Sequence, residues 1–180
     1  MKQDLIEEIE LTSGVSAQLE KGILKISGQQ GQVERKIFNP KVEVEIRSDK
    51  IILKSLKATK REKKIVGAFY AHIKNMVKGV TENFVYKLKI CSGHFPMSVS
   101  VSGNEFTIKN FLGESVPRKV ALIRGSEVKI EGDFITVTSA DKEIAGQNAA
   151  KIESLCRITN RDRRIFQDGC YIIDKAGKEI

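Results

Sequence analysis

Cysteine, proline, histidine and tryptophan are scarce in this 180-residue sequence, which has three cysteines, three prolines, two histidines and no tryptophan. The cysteines Cys91, Cys156 and Cys170 are odd in number and far apart, which favours free thiols in a reducing compartment over a disulfide framework. No apolar run approaches the roughly 18–20 residues that span a bilayer. The acidic amino terminus, MKQDLIEEIE, has no apolar signal core. We therefore expect a cytoplasmic protein with neither a membrane segment nor an export signal.

Motifs for catalysis, nucleotide binding and metal coordination are also missing. The sequence contains no H-x-x-x-H, C-x-x-C, G-x-x-x-x-G-K-[ST] or G-x-S-x-G pattern. The nearest candidate is Cys91 with His94 in CSGHFP (91–96), because a thiol and an imidazole can serve as nucleophile, base or ligand. Cys91 ends an alternating strand pattern, however, and no further ligand stands nearby in the sequence. We expect no enzyme activity, no cofactor, no metal and no small-molecule substrate.

An internal repeat is the first positive feature of the chain. The stretch KKIVGAFYAHIKNMV (63–77) aligns without a gap to KEIAGQNAAKIESLC (142–156) at an offset of 79, which matches Gly67 with Gly146. Upstream, GILKISGQQG (22–31) aligns to NEFTIKNFLG (104–113) at an offset of 82. A duplicated unit of roughly 80 residues accounts for both alignments, because changes of offset fall in connections where insertions are tolerated. We predict two domains, 1–82 and 83–180.

Hydrophobic periodicity predicts an α+β fold for each copy. Apolar residues alternate with polar ones in KVEVEI (41–46), FVYKLKI (84–90), MSVSVSG (97–103) and FITVTS (134–139), as they do in half-buried strands. In the two aligned stretches the apolar residues recur at three- and four-residue spacing instead, which is typical of amphipathic helices. Each copy thus reads as several strands, a helix and a final strand, with an antiparallel or mixed sheet packed on one helix.

Two local signals refine the helices. Thr59 and Glu62 form a capping box at the start of the first helix, and Ser139 is the predicted cap of the second. Gly67 and Gly146 lie inside the helices, where glycine costs about 1 kcal/mol relative to alanine. We expect both glycines to allow close packing of helix on sheet.

Arginine is concentrated near the carboxyl end of a chain whose formal net charge is +8. The cluster KREKK (60–64) is mostly lysine and is predicted to be a solvated helix face. The segment TNRDRRIFQDGCYI (159–172) instead contains Arg161, Arg163 and Arg164, with Arg157 just upstream. The planar guanidinium group matches phosphate geometry, so the segment is predicted to bind a polyanion. Pairing of these arginines with Asp162, Asp168 and Asp174 is the alternative.

The neighbouring residues favour RNA as that polyanion. Gly169 lacks a Cβ and would let the backbone approach a phosphate closely. The amides of Asn160 and Gln167 suit 2′-hydroxyl and sugar contacts. Phe166 and Tyr171 either pack in the core or stack on a base.

Three separated motifs in the same order, SGHFPMSVSV, IKNFLGE (108–114) and TNRDRRIFQDGCYI, resemble the L-six family of large-subunit ribosomal proteins, most closely its archaeal members. The resemblance covers essentially the whole chain. It implies two tandem copies of a small α+β RNA-binding fold in which the second domain binds large-subunit rRNA. It also implies a place near the stalk base and the translation-factor docking region, beside other large-subunit proteins.

Carried onto this sequence, the resemblance implies rRNA contacts in the TNRDRRIFQDG stretch and, more weakly, in the tail. The implied rRNA-binding residues are Arg157, Asn160, Arg161, Arg163, Arg164, Gly169, Lys175 and Lys178. Two other functions stay open at this point. One is an RNA-processing nuclease that uses Asp162, Asp168 and the arginines around a divalent ion. The other is a protein-interaction adaptor that uses exposed sheet edges.

Overall fold

The computed structural model describes residues 3–47 and 49–180. The chain divides into two compact units, of which the first ends at Asn83 and the second begins at Phe84. Neither helix in the described part of the chain has both the length and the apolar composition needed to cross a membrane. The assignment of residues 1–82 and 83–180 as two domains stays a prediction.

The first unit contains two three-stranded antiparallel sheets and one helix. The strand order is β1-β6-β5 in one sheet and β2-β3-β4 in the other. The elements are β1 (Gln3–Glu10), β2 (Ser16–Glu20), β3 (Ile23–Gly28), β4 (Gly31–Lys36), β5 (Glu43–Arg47), β6 (Lys50–Ala58) and α1 (Lys60–Thr81).

The second unit repeats this plan and adds one strand. Its sheets have the orders β11-β12-β7-β13 and β10-β9-β8, again with antiparallel pairing. Before its helix come β7 (Phe84–Cys91), β8 (Ser98–Ser102), β9 (Glu105–Lys109), a 3₁₀ turn (Phe111–Gly113), β10 (Arg118–Ala121), β11 (Glu127–Glu131) and β12 (Phe134–Ser139). The helix α2 (Lys142–Leu155) and the strand β13 (Gly169–Lys175) complete it.

The predicted α+β class, with two tandem copies of sheet packed on helix, is confirmed. The final strand predicted for each copy exists only in the second unit, because the strand that follows α1 is β7, which pairs with β12 and β13 of the second unit. An equivalent apolar row crosses the sheet β1-β6-β5 of the first unit and the four-stranded sheet of the second. It consists of Ile9, Ile51 and Ile46 in the first and of Leu88, Ile135 and Ile130 in the second.

The helix starts follow from their capping residues. The capping box of α1 is confirmed, because the Thr59 hydroxyl accepts a hydrogen bond from the Arg61 amide and the Glu62 carboxylate accepts one from the Thr59 amide. The prediction for α2 is wrong, since its cap is Asp141, which accepts a hydrogen bond from the Glu143 amide at 2.8 Å. Ser139 lies two residues earlier and donates its hydroxyl to the Gly125 carbonyl instead.

The two helix glycines have different environments. A Cβ added at Gly146 would lie 3.2 Å from the Tyr86 hydroxyl, so close packing explains this glycine. Gly67 is exposed, and an added Cβ there would meet nothing within 4 Å. The expectation of close packing is therefore wrong for Gly67, because the buried face of α1 runs through Val66 and Ile73 on the other side of the helix.

Candidate nucleic-acid interface

The connection between α2 and β13, residues 157–168, forms what we call the arginine segment. It has no regular secondary structure, and Asn160 adopts the left-handed conformation with φ 59°. Helix α2 ends at Leu155. The segment then returns to the sheet at β13, which pairs with β7. Its position is therefore set by the end of a helix on one side and by the start of a strand on the other.

Asp168 anchors the carboxyl end of the segment. Its side chain is only 3 % exposed, and its carboxylate accepts hydrogen bonds from the amides of Gly93 and His94 and lies 2.7 Å from His94 Nδ1. Burial opposes ionisation of this carboxyl group. The hydrogen bonds from the His94 backbone and ring and from the Gly93 backbone outweigh burial and lower the pKa of Asp168 below its ordinary value.

A group of stacked rings lies next to this anchor. The rings of His94 and Phe166 are 4.8 Å apart at their centroids with an angle of 30° between their planes. Arg161 places its Cζ atom 4.8 Å from the centroid of Phe166, a distance at which a cation is attracted to the ring. Phe166 therefore holds the guanidinium group of Arg161 over the segment rather than stacking freely in solvent.

Arg118 anchors the amino end of the segment. Its guanidinium group donates to the carbonyl oxygens of Leu155 at 2.8 Å and of Arg157 at 3.1 Å, where α2 has ended and carbonyl groups lack helical partners. It also binds both carboxylate oxygens of Glu114, at 2.7 and 2.5 Å, and lies 4.3 Å from the centroid of Phe111. The Arg118 hydrogen bonds lower the pKa of Glu114. Arg118 is thus a positioning residue.

Arg157, Asn160, Arg161, Arg163 and Arg164 are all exposed on this one segment, so the structure brings these five predicted site residues together. Arg164 forms an ion pair with Asp162 at 3.0 Å, yet its side chain is 90 % exposed. In the described residues, the other three arginines have no carboxylate within salt-bridge distance. Their guanidinium groups can therefore meet a ligand without first giving up an acidic partner.

The alternative of ion pairing is thus realised for one arginine only. Asp168 is engaged by His94 rather than by an arginine. Asp174 lies in β13 and accepts a hydrogen bond from the Gly177 amide at 2.8 Å.

Gly169 occupies a buried position, unlike the arginines. Its φ is +150°, and an added Cβ would lie 3.2 Å from Cβ of Cys156 and 3.3 Å from Cζ of Tyr171. Packing against these residues is sufficient to explain a glycine here, without a phosphate at its backbone.

Lys175 and Lys178 lie away from the arginine segment. They close a tight turn through backbone hydrogen bonds of 2.8 and 3.2 Å. Lys175 ends β13, and at about 3.3 Å per residue a seven-residue strand places its two ends about 20 Å apart. The structure therefore does not bring these lysines together with the arginines.

Two grooves flank Arg163 and Tyr171, which line both of them. The larger, of about 770 Å³, separates residues 91–94 from the arginine segment. The smaller, of about 420 Å³, lies towards the end of α2 and is also lined by Arg157. Tyr171 is 38 % exposed, and its hydroxyl donates to the Asp168 carbonyl at 3.3 Å. A cationic side chain and a partly exposed aromatic side chain therefore border both grooves, a combination that recurs in nucleic-acid binding sites.

The chemistry that a nuclease would require is not assembled here. Asp162 is engaged by Arg164 and Asp168 by His94. Within residues 3–47 and 49–180, no group of three or more histidine, cysteine, aspartate or glutamate side chains is arranged to hold a metal ion. His94, which sequence reasoning considered only as a partner of Cys91, instead supports the arginine segment. Its presence in the SGHFP motif was the one signal that could have identified it.

The lysine-rich cluster of the first unit has a simpler setting. Lys60, Arg61, Lys63 and Lys64 are exposed on the first turn of α1. Glu62, between them, is buried and pairs with Lys41 at 3.0 Å. This cluster lies on a regular helix surface and not on an irregular segment held at both ends.

Comparison with known proteins gives one consistent result. The family described as Ribosomal protein L6 matches residues 11–83 and again residues 95–169. A protein named large ribosomal subunit protein uL6 from Methanococcus vannielii is 40 % identical over 174 residues, covering 97 % of this chain and 96 % of that protein. A protein of the same name from Nanoarchaeum equitans is 42 % identical over 181 residues, covering 96 % of this chain and 94 % of that protein.

Proposed function

The chain belongs to the ribosomal protein L6 family, and from this premise we propose that its arginine segment binds large-subunit rRNA and stabilises its folded geometry. Its relatives are named as proteins of the large ribosomal subunit, which makes this chain a structural constituent of that subunit in the cytoplasm and not an enzyme.

The proposal rests on exposed arginine side chains carried by a segment that is anchored at both ends. Arg157, Arg161, Arg163 and Arg164 are exposed on one irregular segment. Buried or half-buried groups hold that segment at both ends, Arg118 at the end of α2 and Asp168 at the start of β13. Because the segment is already ordered, little conformational entropy would be lost when a ligand binds.

Arginine forks suit the phosphates of a folded RNA better than its base edges. An A-form helix hides its major groove, so contacts go to phosphates, to 2′-hydroxyl groups and to shape. In this arrangement Arg161, Arg163 and Arg164 neutralise phosphates, and the Asn160 amide contacts a sugar or a 2′-hydroxyl. Gly169 contributes by fixing the start of β13, while Lys175 and Lys178 would reach only a second, separate stretch of RNA.

We also propose a position for the protein within the subunit. The family resemblance supports a place near the stalk base and the translation-factor docking region, with other large-subunit proteins as neighbours. Nothing in the proposal requires a cofactor, a metal ion or a membrane.

Replacement of Arg161, Arg163 and Arg164 by alanine tests the proposal. We expect the triple variant to fold normally, because these side chains are exposed, but to be strongly depleted from purified large subunits when it is expressed beside the wild-type chain. The matched control is alanine at Lys60, Lys63 and Lys64, which removes the same charge from α1. Normal incorporation of the arginine variant, or equal depletion of the lysine variant, would overturn the assignment.

A further inference from the structure

The outer edge of β1 is the feature that the proposed function leaves unexplained. β1 is an edge strand in the order β1-β6-β5, and no strand among the described residues pairs with its outer side. Edge strands expose a row of backbone donors and acceptors that can pair with another chain. The corresponding edge of the second unit is closed, because β13 pairs with β7.

The duplication shows which positions in the first unit would face an added strand. When the apolar rows of the two sheets are aligned, Ile9 corresponds to Leu88, and Glu10 therefore corresponds to Lys89. Lys89 is the residue that pairs with Tyr171 of β13. In the helices, the offset of 79 places Lys74 on Glu153. The Glu153 carboxylate accepts a hydrogen bond from the Ile172 amide of β13 at 3.2 Å.

A groove lies at these same positions in the first unit. It has a volume of about 540 Å³ and runs between β1 and α1, where it is lined by Glu8, Ile9, Glu10, Tyr70, Lys74 and Val77. Lys74 and Val77 correspond to Glu153 and Cys156 of the second unit. Glu153 accepts a hydrogen bond from β13, and Cys156 lies beside the first residue of β13. The groove is therefore the counterpart of the space that β13 fills in the second unit.

The charge of β1 indicates what would fill it. In a chain of net charge +8, the strand QDLIEEIE carries four carboxylates and no basic residue. Glu8 is paired with Lys50 at 3.1 Å, whereas Glu10 is exposed and forms no ion pair with any described residue. Lys74 and Lys78 also line the groove, but both lie on α1. The edge of β1 itself therefore repels phosphate and attracts basic side chains.

We propose that the outer edge of β1 accepts an extended, basic polypeptide segment of another protein as an added antiparallel strand. Backbone hydrogen bonds to β1 give the affinity, apolar residues at alternate positions face Ile9 and Val77, and basic residues face Glu10. This is strand addition, with specificity set by alternate side chains. The inference does not depend on rRNA binding by the second unit.

The test uses the full-length chain and a labelled nine-residue peptide of alternating lysine and valine. We expect fluorescence anisotropy to show binding, and we expect the peptide to slow hydrogen exchange at β1 amides about tenfold. Glu10→Lys should weaken binding about fivefold at low salt. The matched control is Glu43→Lys, on the opposite edge strand of the same sheet, which should leave the affinity unchanged.

Three outcomes would overturn the proposal. The first is binding without protection of β1, or equal binding by a peptide with proline at its central valine, because charge alone would then suffice. The second is protection of β1 by a short RNA duplex, which would make the edge a nucleic-acid site. The third is protection that depends on protein concentration without peptide, which would identify the occupant as a second copy of this chain.

Discussion

The two units of this chain follow the same plan up to the end of the helix and differ in what comes next. After α1 the chain passes into the second unit, whereas α2 is followed by the arginine segment and β13. This continuation supplies exposed arginines and also closes the edge of the larger sheet. The proposed RNA-binding surface therefore lies on a continuation of the chain that the first unit lacks, and β13 of that continuation also adds Cys170 to the core of the second unit.

Charge shows the same contrast between the two units. The KREKK cluster lies at the start of the regular helix α1, where its lysine side chains are exposed. In the second unit, Arg161 is held against Phe166, and the segment that carries it is fixed by Asp168. The two surfaces therefore differ less in the number of their charges than in whether the charged side chains are held in place.

The largest expected effect concerns salt. Binding of a large-subunit rRNA fragment should weaken with salt, and each lost phosphate contact should lower the slope of log K against log salt by about one. Alanine at Arg161, Arg163 and Arg164 should therefore lower that slope by about two to three. Alanine at Lys60, Lys63 and Lys64 should leave it nearly unchanged. Filter binding across a salt series measures both, and equal slopes for the two variants would remove the contrast between the units.

A smaller effect is expected at the anchor of the arginine segment. Asp168→Ala should lower the free energy of unfolding by about 2 kcal/mol, because the amides of Gly93 and His94 lose a charged acceptor. Asp162→Ala should cost less than about 0.5 kcal/mol, since its partner Arg164 is largely exposed. Urea denaturation of the full-length chain compares the two. Similar losses would show that Asp168 is no special anchor.

The matched helix glycines provide a test at about 1 kcal/mol. Gly67→Ala should stabilise the chain by about that amount, because the position is exposed and alanine favours helix. Gly146→Ala should instead destabilise by about 1 kcal/mol, because its Cβ would press on the buried Tyr86 ring. Thermal unfolding of both variants is the measurement. Stabilisation by Gly146→Ala would mean that Tyr86 moves aside without cost.

A further effect concerns acid. Hydrogen bonds from the Thr59 hydroxyl, the Lys41 ammonium group and the Thr59 amide lower the pKa of Glu62 from 4.5 to about 2. Because the pKa in the folded state is the lower one, this carboxylate stabilises the first unit above about pH 4.5, and the contribution is lost as the pH falls towards about 2. Glu62→Gln should reduce the loss of stability between about pH 5 and pH 2. Denaturation midpoints measured at both pH values test this prediction. Equal losses of stability in the variant and the wild-type chain would contradict it.

Much of the fold could be predicted because the signals are local and occur twice. Alternation in FVYKLKI predicts a strand, and β7 covers those residues. Thr59 and Glu62 lie three positions apart, so their capping box can be recognised without knowledge of the fold. Packing at Gly67 could not be predicted, because the approach of a sheet depends on which helix face is buried. The prediction of a final strand for the first unit was wrong for a similar reason, because the strand after α1 belongs to the unit that contains its pairing partners.

The candidate site also has some features that the sequence predicts and others that it does not. Clustered arginines in a segment without periodicity predict exposure, and the structure exposes all four. The residues that anchor the segment could not be identified from the sequence. His94 and Asp168 are 74 positions apart, and pairing of β13 with β7 brings them into contact. Arg118 meets the carbonyl groups at the end of α2 from 37 and 39 positions away.

Composition, periodicity and the repeat were enough to establish an α+β protein of two similar halves with a cationic strip near its carboxyl end. These properties depend on residues close together in the chain, so each stretch carries its own signal. Which cations are held in place, which glycine is confined and which sheet edge stays open were settled by folding. Those features depend on contacts between distant residues, and a linear pattern holds no record of them.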